Sequence, residues 1–243
     1  MNKTLPSHYR LLTTKDGSPT LEFSPSGEPE NMHNFHGAFS ETNYIYGEAL
    51  RKCISLDWLP RVLSVGLGLG YNEIMCAAFA ERHNLEIQVI SFEQDEFLRQ
   101  SFSDWLSMRE ETPLTKTYNQ ILNLYSAEFE ISSEALLARL KSMLKDQTLQ
   151  LNATFSTSSS SDEKCNVLLY DPFSSKTNPD FWSEAAIAET LSGWASRQCV
   201  LSTYAATGAL KRALKNNDFN VEARAGFGGK RQSFLAVREA SDS

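Results

Sequence analysis

The sequence predicts an α/β fold in which helices cover both faces of a mostly parallel sheet. Three features predict it: an apolar segment at residues 61–65 runs through a glycine-rich turn into a helix-like segment, a second apolar segment follows at residues 85–92, and a third, at residues 167–170, ends at Asp171. Strand, helix and strand in succession form a right-handed βαβ unit with parallel strands. With 243 residues, 41% of them hydrophobic, the chain is long enough to bury the core that such a domain needs.

The segment before this unit predicts a small β-structure. Turn-forming residues at 15–19 lie between extended segments at residues 10–12 and 20–23, which is the pattern of a β-hairpin. We therefore assign residues 1–30 to an N-terminal β-hairpin extension and residues 31–243 to a single Rossmann-like domain.

The remaining elements continue the alternation of strands and helices. Predicted helices cover residues 37–54 (one amphipathic helix or two short ones), 72–82, 95–108, 133–144, 179–194 and 208–216, and predicted strands cover residues 61–65, 85–92, 166–170, 198–203, 219–225 and 232–237. The last two strands are expected to form an antiparallel hairpin. Asn178 and Pro179 are interpreted as the N-cap and first residue of their helix. A serine-rich run at residues 154–162 predicts a mobile surface loop, because it contains too few apolar residues to pack.

Composition limits the classes of function. No apolar run approaches the length that crosses a bilayer, and the four cysteines are widely spaced, without a zinc-like cluster. These features predict a soluble, cytoplasmic protein without a metal site. The net charge of −7 disfavours a nucleic-acid partner, but residues 201–243 carry seven basic and four acidic side chains. That section could form a local basic patch on an acidic body.

The glycine-rich turn has the spacing of a nucleotide-binding loop. Gly66, Gly68 and Gly70 form G-x-G-x-G between a strand and a helix, where only glycine lets the backbone come close to a ligand. Glu93 follows the second strand, where an acid can bind both ribose hydroxyls. The alternative is a tight turn that only packs the helix on the strand. The combination resembles the loop that binds S-adenosylmethionine (SAM) in class I methyltransferases, which usually carry an acid where this chain has Ser64.

A second candidate site follows the strand at residues 166–170. Asp171, Pro172 and Phe173 lie there, at the sheet edge where α/β folds place ligands. A carboxylate that ends an apolar strand requires a partner. Pro172 fixes the turn, and Phe173 can exclude water or stack on a flat substrate. The position therefore favours Asp171 as a reactive group.

Two motifs carry a more specific resemblance. They are the glycine loop with Asn72, and Asp171-Pro172-Phe173 with Asn178-Pro179 and Trp182; further matches are Gly37-Ala38-Phe39 with Glu41, Thr203-Tyr204 with Gly208, and Gly226-Phe227-Gly228 with Lys230-Arg231. With them the chain resembles the family of methyltransferases that complete 5-methylaminomethyl-2-thiouridine at the tRNA wobble position.

The resemblance implies a Rossmann-like class I fold and methyl transfer from SAM to the exocyclic aminomethyl nitrogen of the uridine. It implies that Asp171 is the catalytic residue, positioning that nitrogen first and accepting its proton second. The cofactor-binding residues are expected to be Ser64, Gly66, Gly68, Gly70, Asn72, Glu93, Asp171, Pro172 and Phe173. The substrate-binding residues are expected to be Phe173, Tyr204, Lys230 and Arg231.

The implied partner is tRNA, bound at its anticodon region. We expect weak, micromolar and salt-sensitive binding, because local basic residues attract phosphate while the acidic remainder repels it. The candidate contacts are Lys211, Arg212 and Lys215 on one helix and Lys230 and Arg231 in the last hairpin. Two alternatives stay open: a SAM-dependent methyltransferase of a small amine or a protein, and a catalytically weakened SAM-binding relative. The second is suggested by Ser64 and by the lack of an acid on the expected adenine side.

Overall fold

The computed structural model describes residues 4–24, 29–107, 111–229 and 232–240. Strands and helices alternate through most of these ranges. In chain order the elements are β1 (Tyr9–Thr13), β2 (Pro19–Phe23), β3 (Glu30–Asn31), α1 (Ala38–Ser55), β4 (Arg61–Val65), α2 (Tyr71–His83), β5 (Gln88–Phe92), α3 (Glu96–Ser107), α4 (Thr115–Glu128), α5 (Ser133–Lys145), β6 (Leu149–Asn152), β7 (Cys165–Tyr170), α6 (Glu184–Trp194), β8 (Ala195–Thr203), α7 (Gly208–Asn216), β9 (Asn220–Ala225) and β10 (Gln232–Arg238).

The main sheet has seven strands in the order β6-β5-β4-β7-β8-β10-β9. Strands β4 to β8 pair in parallel, and β10 lies antiparallel between β8 and β9. The predicted Rossmann-like fold with an antiparallel C-terminal hairpin is confirmed. Because all parallel strands point the same way, their carboxyl ends meet at one edge of the sheet.

The two faces of the sheet carry separate hydrophobic cores. Successive strand residues point to opposite faces, so Val62 packs in the core of helices α1 to α5 while its neighbour Leu63 packs in the core of α6 and α7. Both side chains are fully buried. The near-continuous apolar strands predicted from the sequence therefore reflect a sheet that is covered on both faces.

The N-terminal hairpin is confirmed, and a third strand extends it. β1 and β3 both pair antiparallel with β2. Leu21 of β2 is fully buried in the same core as Val62, and the Tyr71 hydroxyl donates a hydrogen bond to the Pro19 carbonyl at 2.7 Å. Strand β3 lies across the boundary expected between residues 30 and 31. The division into an extension and a domain stays a prediction, whereas the shared core is a structural fact.

Besides β3, two further elements of the described residues were not predicted from the sequence. Helix α4 buries one face, formed by Tyr118, Ile121, Leu122 and Tyr125. Their spacing of three, one and three residues is that of a helix, so the signal was present in the sequence. Strand β6 has only four residues and pairs with β5 alone at the edge of the sheet. So short an edge strand gives almost no periodic pattern.

The helix predicted at residues 179–194 is wrong in its first part. Pro179–Phe181 forms one turn of 3-10 helix, and Asn178 makes no capping hydrogen bond through its side chain. Helix α6 begins at Glu184 because the Ser183 hydroxyl accepts a hydrogen bond from the Ala186 amide at 3.1 Å. The N-cap of the long helix is therefore Ser183.

The serine-rich loop forms neither helix nor strand, as predicted, but it is packed rather than wholly free. Phe155 is buried, the Ser161 amide donates to the Gly193 carbonyl, and the Trp194 indole donates to the Ser159 hydroxyl. Its mobility stays a prediction. None of the helices in the described ranges combines the length and the apolar character that crossing a bilayer requires.

Candidate active site

A cavity of about 460 Å³ opens at the edge where the parallel strands end. Val65 and Phe92, the last residues of β4 and β5, line it, and so does Asp171, the first residue after β7. Its volume is in the range of cofactor-sized pockets. The sheet thus brings the two separate candidate sites of the sequence, the glycine loop and the Asp171 segment, to one place.

The glycine loop has the backbone shape that requires glycine. Gly66 has a φ of 96°, and a Cβ atom built on it would lie 2.7 Å from the Asp171 carbonyl oxygen. A side chain at position 66 would therefore force the ends of β4 and β7 apart. Gly66 and Gly68 line the cavity, whereas Gly70 does not. Gly70 begins α2 with a φ of 75°, and a Cβ there would overlap the Phe102 ring, so its role is packing.

Glu93 ties the loop to the end of β5. Its carboxylate accepts hydrogen bonds from the Gly68 amide at 3.0 Å and from the Asp95 amide at 2.9 Å. Burial raises the pKa of Glu93, and the two amides oppose this shift by stabilising the charged form. Glu93 also lines the cavity, and carboxylate oxygens have lone pairs left for further donors. This position fits the predicted role in binding ribose hydroxyls.

Asn72 supplies an unused acceptor at the end of the cavity that the glycine loop forms. It lines the cavity from the first turn of α2, is almost fully buried, and its Oδ1 has no hydrogen-bond partner. Buried polar atoms without a partner are rare in folded proteins. A ligand with an N–H donor next to the loop would satisfy this atom, so the residues present fit the α-ammonium group of SAM.

Ser64 does not line the cavity. It is fully buried on the α2 side of the sheet, and its hydroxyl lies beside the Glu73 carboxyl without reaching hydrogen-bond geometry. Glu73 accepts a hydrogen bond from the Ser91 hydroxyl at 2.7 Å, and burial raises its pKa to about 7. Ser64 therefore does not lie at the cavity wall, and its contact with the cofactor stays a prediction. A buried acid does stand near this position, but α2 contributes it.

The Asp171 segment is held from several sides. The Asp171 amide donates to the Val65 carbonyl at 3.2 Å, and the Tyr204 hydroxyl donates to the Pro172 carbonyl at 3.0 Å. The Phe173 ring stacks on Phe23 of β2, with 5.4 Å between ring centroids. Asp171, Pro172, Phe173 and Tyr204 all line the cavity. The predicted cofactor and substrate residues of this segment thus lie together at the cavity wall.

Several lining residues were missed by sequence reasoning. Glu41 and Tyr46 reach the cavity from α1, at the end where Asp171 lies. Phe155 lines it from the loop that was predicted to be mobile, and its ring meets Phe92 edge to face at a centroid distance of 5.3 Å. Glu41 stood in a motif match, but nothing marked Tyr46 or Phe155 as anything other than core. Two aromatic rings, Phe92 and Phe155, therefore form this part of the cavity wall.

Glu128 is the last residue of α4 and accepts a hydrogen bond from Asn43 at 3.0 Å, so it does not supply an acid to the cavity. Residues 30–35, which begin in the N-terminal sheet, cover the cavity. Glu30 of this segment accepts a hydrogen bond from the Ser174 amide at 3.0 Å. Met32 of this segment lies 3.3 Å from the position of a Cβ on Gly68, so it covers the glycine loop.

The structure describes only some of the basic residues that are predicted to contact tRNA. Lys230 and Arg231 lie outside the described residues. The residues that follow them begin β10, which pairs with β8 from Phe234 opposite Thr203, at the cavity edge of the sheet. On α7, Arg212 forms an ion pair with Glu184 at 2.7 Å.

Comparison with known proteins identifies the family. A family model described as S-adenosyl-L-methionine-dependent methyltransferase matches residues 114–239, just over half of the chain. The chain belongs to this methyltransferase family. The predicted enzyme class and the predicted cofactor, SAM, are thereby confirmed.

Individual proteins that the chain resembles indicate a more specific relationship. The methyltransferase is 27% identical over 236 residues to the tRNA 5-methylaminomethyl-2-thiouridine biosynthesis bifunctional protein MnmC of Hahella chejuensis, an alignment that covers 91% of this chain and 37% of that protein. It is also 27% identical to an uncharacterized protein of Methanocaldococcus jannaschii, over 97% of this chain and 61% of that protein. The crystal structure of MNMC2 from Aquifex aeolicus shares the fold, with a TM-score of 0.66 at 20% identity, covering 97% of this chain and 72% of that one. The chain therefore spans about a third of the Hahella protein, and the family resemblance read from the motifs is confirmed.

Proposed function

We propose that this methyltransferase transfers the methyl group of SAM to the aminomethyl nitrogen of a modified wobble uridine in tRNA. The observation that carries the proposal is the single cavity in which the glycine loop and the Asp171 carboxylate meet. The relatives named for 5-methylaminomethyl-2-thiouridine biosynthesis support the choice of acceptor.

The cofactor end of the cavity offers a partner for each part of SAM. Glu93 would bind the ribose hydroxyls, and Asn72 Oδ1 would accept from the α-ammonium. The N-terminal turn of α2 favours the carboxylate of the methionine part. The rings of Phe92 and Phe155 would pack on the adenine. When bound there, SAM supplies the electrophilic methyl group.

The acceptor end suits an amine. An alkylammonium has no lone pair, so it must lose a proton before it can attack, and a neighbouring carboxylate can orient it and accept that proton. Asp171 would serve in this way, with its backbone fixed by the hydrogen bond to Val65. Most of the acceleration would come from holding nitrogen, methyl carbon and sulfur in line. Tyr204 and Phe173 would bound the space around the acceptor.

Contact with the anticodon arm is proposed for Lys230 and Arg231. The residues that follow them in β10 lie at the cavity edge, so phosphates next to a base that enters the cavity would come within reach. The acidic remainder of the surface opposes binding. Micromolar affinity with a steep salt dependence is expected.

Salt titration of tRNA binding, next to calorimetry with SAM, tests this partner. Replacing both Lys230 and Arg231 by alanine should flatten the log-log salt slope by about one unit for each phosphate that the variant no longer neutralises, without changing SAM affinity. The matched control replaces Lys141 and Lys145 on α5, which leads into the amino end of β6, at the opposite edge of the sheet. Equal salt slopes for both double variants would show that Lys230 and Arg231 do not bind tRNA phosphates. SAM binding without tRNA binding at any salt would shift the acceptor to a small amine or a protein, the alternative that the net charge of −7 favours.

A further inference from the structure

Tyr46 combines deep burial with an unused hydroxyl in the cavity. Its side chain is only 2% exposed and lines the cavity, yet the hydroxyl lies beside the Asp171 carboxylate without reaching hydrogen-bond geometry. Leaving a buried hydroxyl unpaired costs about 1–3 kcal/mol. A hydroxyl that faces a binding cavity escapes this cost when a ligand supplies the partner. Tyr46 therefore marks a place where a polar ligand atom belongs.

The position of Tyr46 is fixed by its helix. The Ser202 hydroxyl of β8 donates to the carbonyl of Ile45 at 2.7 Å. At the start of the helix the Ser18 hydroxyl accepts from the amides of Ala38 and Phe39, each at 3.0 Å. These bonds connect α1 to both sheets. Tyr46 is thus held in place before any ligand arrives.

The surroundings of the Tyr46 hydroxyl are acidic. Burial raises its pKa well above the ordinary value, and the carboxylate of Asp171 raises it further, with Tyr204 and Glu41 adding to the effect. The phenol therefore stays protonated and neutral at physiological pH. In this state its oxygen can accept a hydrogen bond from an N–H group.

We infer that Tyr46 is a second residue that binds the acceptor, and that the Tyr46 oxygen and the Asp171 carboxylate together hold the two hydrogens of a primary alkylamine. The inference rests on the proposed function and assigns the residues that orient the amine. A tetrahedral amine nitrogen carries one carbon, two hydrogens and one lone pair. When two fixed acceptors bind the hydrogens, the direction of the lone pair is determined.

The bonds, electron pairs and protons of the methyl transfer balance. The nitrogen lone pair forms the new N–C bond, and the C–S bond breaks with its electron pair remaining on sulfur, which becomes a neutral thioether. The proton that the alkylammonium loses before the attack goes to Asp171, whose second carboxyl oxygen still accepts a hydrogen bond from the amine, and the methylated product leaves as a secondary ammonium ion. Tyr46 gains and loses nothing, so its contribution is orientation rather than proton transfer.

The test is the Tyr46→Phe variant, assayed with SAM and tRNA that carries 5-aminomethyl-2-thiouridine. We expect kcat to fall about tenfold to hundredfold, because the nitrogen loses one of its two fixed acceptors. SAM affinity should stay within about threefold, and the melting temperature should be equal or higher, since the variant removes an unpaired buried hydroxyl. Tyr125→Phe is the matched control: its hydroxyl is also buried and unpaired, but it does not line the cavity.

Three results would overturn the inference. One is a kcat of Tyr46→Phe that equals that of Tyr125→Phe. Another is a lower kcat accompanied by loss of SAM affinity or of thermal stability, because Tyr46 would then support the fold. The third is an inactive wild-type protein on this tRNA, which removes the proposed function and this inference with it. Measuring the wild type first keeps the two failures apart.

Discussion

Asp171 follows β7 directly and lines the cavity at the end where we propose that the acceptor binds. Asp171 owes this place to two neighbours: Gly66, whose missing side chain lets β4 approach, and Tyr204, whose hydroxyl fixes the adjoining Pro172 carbonyl. The sequence could reveal Asp171, because an acid after an apolar strand needs an explanation. It could not reveal Tyr46, because a tyrosine in a helix is ordinarily a core residue and only the structure shows its unpaired hydroxyl.

Replacing Asp171 by asparagine tests the role of the charge. The amide keeps the shape of the side chain but cannot accept the proton, so turnover should fall by about 10²-fold or more while SAM affinity changes only severalfold. Asp180→Asn is the control, because Asp180 is exposed on the 3-10 turn and does not line the cavity. Steady-state kinetics and calorimetry measure both quantities. An Asp171→Asn enzyme with normal turnover would exclude Asp171 from the mechanism.

At the scale of elements, helix α2 lies between the cavity and a buried acid. Asn72 faces the cavity, while its neighbour Glu73 points into the core and meets Ser91. The burial of the Glu73 carboxyl should make the free energy of unfolding depend on pH. Burial raises the pKa of Glu73 from 4.5 to about 7, so the folded state holds the proton more tightly than the unfolded chain does. Its contribution to stability is therefore fully present below pH 4.5 and is lost as the pH rises through about 7.

Glu73→Gln should remove this pH dependence. The loss in the wild type amounts to about 3 kcal/mol for a shift of this size, so the variant should gain stability relative to the wild type as the pH rises. Urea unfolding at a series of pH values between about 5 and about 8 measures it. Glu86→Gln serves as the control, because Glu86 is exposed just before β5. Parallel stability curves for wild type and Glu73→Gln would show that Glu73 is not buried as described.

The elements also show how far sequence reasoning reaches. Helix α7 was predicted at the residues where it is found, 208–216, and the strand–loop–helix unit of β4 and α2 was recognised from its glycines. Helix α4 has an equally good period but was not assigned, and β6 is too short to give one. Near residue 179 two capping signals compete, and Ser183 prevails because its hydroxyl reaches the Ala186 amide while Asn178 forms no cap.

At the scale of the whole molecule, function depends on which ends of which strands meet. The order β5-β4-β7-β8 brings residues far apart in the sequence, Glu93, Gly66, Asp171 and Tyr204, to one edge. Sequence motifs identified these four residues, and the parallel sheet explains why they line the same cavity. The covering segment that includes Met32 could not be foreseen, because its place depends on how the N-terminal sheet packs against α2.

Nucleoside analysis is the decisive test of the proposal that this methyltransferase completes an aminomethyl uridine in tRNA. Purified protein and SAM are incubated with tRNA from cells that make the aminomethyl intermediate but lack its final methylation, and the digested nucleosides are examined by mass spectrometry. We expect 5-aminomethyl-2-thiouridine to gain the mass of one methyl group with the wild type and to stay unchanged over the same time with the Asp171→Asn variant. An unmodified nucleoside after incubation with a wild-type protein that binds SAM would exclude this nucleoside as the acceptor.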